Sequence, residues 1–169
     1  MRVLGVDLGT RRIGLALSDE GERLASPLRA IAVASVREAP GAVASAAREA
    51  DAGAIVVGAP LGLEGEEERP ETRRVRRFAQ ALRRATGLPV HLMDESLSSR
   101  EAAEHASAAG RDAATRARSG RGEARDALHA AAAAVILQRW LDEAPLRAAA
   151  REARERSARP AKPAKEDRP

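Results

Sequence analysis

Three places in the chain carry acids that an ordinary core does not need. Asp7 stands inside the apolar run RVLGVDL. Asp94 and Glu95 close the run VHLMDE. Asp126 opens the Ala-rich stretch DALHAAAAAVIL. A carboxylate inside an apolar strand is costly to desolvate unless something binds it. Convergent carboxylates, with no cysteine and few histidines in the chain, are hard oxygen donors suited to Mg²⁺ or Mn²⁺ rather than zinc. A pair of such ions about 4 Å apart clamps the attacking and leaving oxygens in phosphodiester hydrolysis. One ion generates the hydroxide and the other stabilises the departing oxygen.

Each acid also has a plain structural reading. Asp126 in the first turn of a helix complements the macrodipole. Asp94 and Glu95 can form a strand-end turn that leads into a helix cap. Asp7 is the hardest of the group to explain this way. His129, three residues after Asp126, neighbours it on a helix and reads as a solvated or core histidine before it reads as a ligand. The acidic run EGEEE reads as a solvated loop.

Positioning these acids requires a sheet. Residues 2–8 and 12–18 read as strands joined by a tight turn at Gly9-Thr10, and 28–34 as a third. Three consecutive strands with short connections suggest an antiparallel meander. Residues 40–50 read as a helix with Pro40 at its start. The glycine-bounded run AIVVG, 54–58, has the pattern of a central parallel strand. Residues 59–70 read as a loop. Residues 71–86 read as a helix with Val75, Phe78, Ala79 and Leu82 on one face and arginines on the other. Gly87 closes it, and 90–95 form a further strand. SSRE at 98–101 is a capping box opening a helix to about residue 109. Residues 110–123 read as a polar basic loop, and 124–142 as a long helix. Strand–helix–strand units favour right-handed parallel crossovers. Such an order can place the first strand at the sheet centre with the last long helix across it, where Asp7, Glu95 and Asp126 converge.

Composition narrows the class. At 169 residues, the chain suggests one domain, 1–143, with a tail at 144–169. Part of that tail can be helical, and 158–169 are expected to be disordered. Phe78 and Trp140 are the aromatic residues apart from histidine, so the core must be aliphatic. Without cysteine, disulfides and thiolate metal sites are excluded. There is no long apolar stretch and no signal-peptide pattern, so a cytoplasmic protein with no membrane partner is expected. The net charge of +4 resides in the tail, which holds eight Lys or Arg against four Asp or Glu; the body carries 21 of each sign. Within the body the arginines are clustered, and clusters of this kind bind polyanions. The candidate nucleic-acid contacts are Thr10 and Arg11 in the first turn, Arg73, Arg74 and Arg77 in one cluster, and Arg118 and Arg121 in another. A solvated helix face is the alternative.

The segments VLGVDLGTRRIGLALSD, IVVGAPLGLEG, VHLMDESLSSREA and DALHAAAAAVILQRWL occur in the order and spacing of the YqgF/RuvX family. The chain resembles these bacterial RNase H-like proteins, relatives of Holliday junction resolvases, over about residues 1–142. The resemblance implies an α/β, RNase H-like fold: a mixed five-stranded sheet, a three-strand antiparallel meander plus two parallel strands, flanked by helices. It implies a metal-dependent endonuclease in 5′-end maturation of precursor 16S rRNA, using Mg²⁺ or Mn²⁺ as two ions. Its partners would be structured RNA and the assembling ribosomal subunit, or branched DNA if it acts as a resolvase. Asp7, Glu95 and Asp126 match the family's catalytic, metal-binding acids. Asp94 belongs to the same acid pair, but adjacent strand positions face opposite ways, and Glu95 is taken as the ligand.

The chain departs from the family pattern in places. Gly62-Leu63-Glu64-Gly65 stands where Asn-x-Asp-Gly is usual, Ser96 follows Glu95 where Arg is frequent, and Ala127 follows Asp126 where Ser is frequent. Two other functions compete. A non-catalytic nucleic-acid-binding module would be favoured by loss of an acid, and none is lost. DLGT also resembles the phosphate hairpin of sugar kinases and actin-like ATPases, which need a second domain this chain lacks the length to hold.

Overall fold

The structure, a computed structural model, describes residues 1–60, 69–94 and 121–158. The elements are β1 (Arg2–Leu8), β2 (Arg12–Ser18), β3 (Ala25–Ala32), α1 (Ala39–Glu49), β4 (Ala52–Ala59), α2 (Pro70–Thr86), β5 (Val90–Asp94), α3 (Arg121–Asp142) and α4 (Ala144–Ala158). The strands form one sheet in the order β3-β2-β1-β4-β5. β1–β2 and β2–β3 are antiparallel, while β1–β4 and β4–β5 are parallel. The expected meander and parallel pair are both present, and β1 is the central strand.

The apolar run of β1 follows from burial on both faces. Leu4 and Val6 join Ile13, Leu15, Ile55, Val57 and Val90 beneath α1 and α2. Val3 joins Ala16, Ala54, Val56 and Met93 beneath α3. With two aromatic residues to draw on, the chain fills both layers with aliphatic side chains and alanine. Leu137 of α3 is fully buried in the second layer. Leu137→Ala is expected to cost about 2–5 kcal/mol, the range for a buried leucine that leaves a cavity. Urea denaturation checks this, and a loss well under that range would mean the α3 layer collapses around the gap.

α2 is amphipathic as its pattern requires. Val75, Phe78, Ala79 and Leu82 are buried, and Arg73, Arg76, Arg77 and Arg84 are exposed. Gly87 ends it in the left-handed region, φ 71, with its N–H donated to the Arg83 carbonyl at 2.9 Å. Glycine takes that conformation without the Cβ penalty.

Several boundaries differ from expectation, and β4 runs longer, Ala52–Ala59, than the 54–58 expected. β3 spans Ala25–Ala32 rather than 28–34. It is an edge strand, exposed over most of its length and irregular opposite Leu15/Ala16, so it lacks the alternation that marks a strand. α3 begins at Arg121, so residues 121–123 are helical rather than loop. The tail is helical as far as Ala158. The helix expected at 98–109, most of the 110–123 loop and residues 159–169 lie outside the described residues.

Candidate active site

The α3-facing side of the sheet is built from small residues. Gly5, Asp7, Arg12, Gly14 and Ala16 share it, since Gly5 pairs with Ala16 and Asp7 with Gly14. α3 lies directly on the two glycines. A Cβ at Gly14 would stand 1.9 Å from the His129 carbonyl oxygen, and one at Gly5 would stand 2.7 Å from Leu137 Cβ. The close approach of this Ala-rich helix thus depends on glycines in the strands as well. Along α3, Asp126, His129, Ala133 and Leu137 follow the 3–4 spacing of one helix face. The apolar end of that face packs on Gly5, and its polar end reaches Asp7 and Arg12.

At that polar end, His129 Nδ1 lies 3.6 Å from Asp7 Oδ2. Burial pushes the Asp7 carboxyl above its ordinary value, and the His129 imidazole offsets part of that rise. Asp126 Oδ1 accepts from the guanidinium of Arg12, the first residue of β2. That pair is partly exposed, with 34% of the Arg12 side chain and 39% of the Asp126 side chain accessible. On the other side of β1, Arg74 Nη2 donates to the Gly9 carbonyl at 2.8 Å, tying α2 to the turn after Asp7. Between them lies a cleft of about 170 Å³ lined by Asp7, Leu8, Gly58, Pro60, Glu71, Arg74 and Val75. It opens beyond the carboxyl ends of the parallel strands β1 and β4.

The structure brings Asp7 and Asp126 to one face, Asp7 against His129 of α3 and Asp126 against Arg12 of β2. Asp94 is different. It pairs with Ala59 in the β4–β5 ladder, and Ala59 belongs to the layer under α1 and α2, so Asp94 points to the face opposite Asp7. Its carbonyl oxygen accepts from Arg139 Nη1 of α3 at 3.3 Å. Glu95 and Arg118 lie outside the described residues, as does the side chain of Arg121. Thr10 and Arg11 are exposed at the turn, Arg73 and Arg77 are exposed on α2, and Arg74 is half-buried in the cleft. Among the described residues, no group of three or more His, Asp or Glu side chains is gathered as for a metal ion. No described helix is long and apolar enough to cross a membrane.

Sequence reasoning missed Arg12, which shares its dipeptide with the more obvious Arg11. It weighed His129 as a structural residue, and the structure places its ring against Asp7. The spacing Asp126-x-x-His129 was the available signal, because residues three apart share a helix face.

A central acid-bearing strand in a β3-β2-β1-β4-β5 sheet, crossed by a helix that carries a further acid, defines an RNase H-like α/β protein. The model of the family described as "RuvX: Holliday junction resolvase" matches residues 1–143, and the chain belongs to that family. It is 44% identical over 142 residues to a protein of Anaeromyxobacter sp. (strain Fw109-5) named "Putative pre-16S rRNA nuclease", covering 84% of this chain and 97% of that protein. A protein of the same name from Maridesulfovibrio salexigens is 36% identical over 144 residues, covering 85% of this chain and all of that protein. The solved structure of T. thermophilus RuvC in complex with a Holliday junction substrate superposes with a TM-score of 0.55 at 19% identity, over 86% of this chain and 96% of that one. That likeness is one of fold.

Proposed function

We propose that the chain is a divalent-metal-dependent endonuclease that hydrolyses phosphodiester bonds in the 5′-end maturation of precursor 16S rRNA. The observation that carries this reading is Asp7, a desolvated carboxylate at the sheet centre, on one face with Asp126 and beside an open cleft. A cation beside such a carboxylate favours its charged form. The donors are carboxylate oxygens with an imidazole at hand, and they fit Mg²⁺ or Mn²⁺. Asp7 and Asp126 would hold the metal, with Glu95, the acid that follows Asp94 in sequence, as the third ligand that the family resemblance implies. When bound, two ions supply a hydroxide nucleophile and stabilise the leaving oxygen.

The chain's other residues act on the substrate backbone. Thr10 and Arg11 flank the site at the β1–β2 turn, and Arg74 enters the cleft from α2. Arg73 and Arg77 extend the positive rim along α2, and Arg118 and Arg121 are further candidates for phosphate contacts by their sequence cluster alone. If these residues neutralise phosphates, the Arg73→Gln/Arg77→Gln double variant weakens RNA binding and lowers the magnitude of the log K against log salt slope by about 1 to 2. A filter-binding series in rising KCl reads this out. An unchanged slope returns the α2 arginines to a solvated face.

A four-way DNA junction is the second substrate to test, because the family description names a Holliday junction resolvase. The deciding experiment offers a 5′-extended 16S precursor and a four-way junction side by side, with Mn²⁺ and with EDTA. Mn²⁺-dependent cleavage of the RNA is expected. Cleavage confined to the junction moves the chain to the resolvases.

A further inference from the structure

Arg12 has a position that its sequence neighbours do not share. It opens β2 on the α3-facing side, two residues before Gly14, and its backbone pairs with Ala32 of β3. From there its guanidinium reaches an oxygen of Asp126, 114 residues away along the chain. Asp7, the other acid of this face, meets the imidazole of His129 instead. The two acids therefore differ in kind: one lies beside a ring that is neutral unless protonated, and the other is held by a permanent cation.

A fastening role explains this pair poorly. Both side chains are more than a third accessible or close to it, and pairs at that exposure contribute little to stability. The packing of Leu137 and Ala133 under α3 is what secures the helix. The exposure also leaves the carboxylate reachable by ions from solvent. A guanidinium has five donors and no acceptor, and it binds carboxylate and phosphate by the same planar fork. It is thus a group that can exchange one oxyanion for the other without changing its chemistry. The rim around it is already positive, with Arg11 exposed one residue away and Arg74 fixed to the Gly9 carbonyl.

We propose that Arg12 and a divalent cation are alternative partners of Asp126, so that cation binding frees the Arg12 guanidinium for the nucleic-acid phosphate beside the site. This rests on the reading of Asp7 and Asp126 as metal ligands. The coupling is reciprocal. A bound cation strengthens the grip on phosphate, and bound phosphate draws Arg12 away and strengthens the grip on the cation. The site then holds its cation most tightly when substrate is present.

The test is a Mn²⁺ titration of the full chain without nucleic acid, read by the electron paramagnetic resonance signal of free Mn²⁺. Wild type, Arg12→Gln, Arg12→Lys and Asp7→Asn are compared. Arg12→Gln is expected to bind Mn²⁺ about 1.5-fold to fivefold more tightly than wild type, the scale of a partly exposed ion pair. Arg12→Lys, which keeps the charge, falls between them. A heparin oligosaccharide, a polyanion that no nuclease hydrolyses, supplies the second arm. Mn²⁺ raises heparin affinity in wild type and raises it less in Arg12→Gln. On the wild type alone, the Arg12 Nε–H resonance shifts and saturates as Mg²⁺ is added, a measurement that needs no variant to fold.

If wild type binds Mn²⁺ through Asp7 but Arg12→Gln binds it no better, Arg12 is a fixed strut. The proposal then fails while the metal reading stands. An Arg12 resonance unmoved by Mg²⁺ overturns it likewise, as does an equal gain in heparin affinity with and without the guanidinium. Mn²⁺ binding that is absent in wild type, or undiminished in Asp7→Asn, overturns the metal reading and this proposal together.

Discussion

Asp7→Asn is expected to lower metal-dependent cleavage by about 10³-fold or more while leaving the protein at least as stable as wild type. The rate effect follows from the several kcal/mol of transition-state stabilisation that a bound metal supplies. The stability effect follows from burial. Burial raises the Asp7 carboxyl above its ordinary value of 3.8. The folded chain therefore holds that proton more tightly than the unfolded chain does. Stability from this group is complete below 3.8 and is lost as pH rises through the raised folded value. At neutral pH the full penalty of the charged form is present. Asparagine removes the charge, so the melting temperature at pH 7 without divalent cations rises or stays level. Added Mn²⁺ then raises the melting temperature of wild type and not of the variant, since a ligand stabilises the state that binds it. Substantial cleavage by a well-folded Asp7→Asn protein contradicts the assignment.

Gly14→Ala is expected to be the most damaging single-methyl change on the α3 face. Its Cβ would stand 1.9 Å from the His129 carbonyl oxygen and 2.4 Å from the carbonyl carbon. Both atoms are backbone, so no rotamer change relieves the contact and α3 must lift from the sheet. Overpacking of this kind costs about 3 kcal/mol or more, which lowers the melting temperature of a chain this size by about 6–12 °C. Cleavage falls too, because Asp126 and His129 ride on the displaced helix. Gly41→Ala is the matched control. Nothing lies within 4 Å of a Cβ there, and the residue is in α1. Alanine in a helix is favoured over glycine by up to about 1 kcal/mol, so the control should be neutral or stabilising. Equal melting temperatures for the two variants would mean that α3 does not rest on Gly14.

The parts of the fold legible in the sequence are those with a strong local pattern. β1 and β4 are buried on both faces, and their unbroken apolar runs announce it. α2 carries its buried and charged faces at helical spacing, and Gly87 marks its end. β3 was displaced by about three residues because an exposed edge strand with Pro27 in it carries no alternation to read. α4 was only partly legible, since an Ala, Arg and Glu composition fits a helix and a solvated tail alike. Among the candidate site residues, Asp7 and Asp126 stand out in the sequence because a lone acid beside an apolar run is anomalous. Arg12 and His129 were not, because their roles arise from packing between β2, β1 and α3, which are far apart in the chain. Gly5 and Gly14 were silent for a related reason. In a strand, glycine reads as a weakness until the helix that needs the space is placed over it.

Crystals grown with Mn²⁺ and measured at the manganese edge locate the metal without reference to activity. The anomalous peaks are predicted to lie against the carboxylates of Asp7 and Asp126, with Glu95 as the further ligand and the Arg12 guanidinium withdrawn from Asp126. Peaks elsewhere on the molecule, with the Asp7 carboxylate bare at saturating Mn²⁺, would contradict the assignment of the sheet centre as the hydrolytic site.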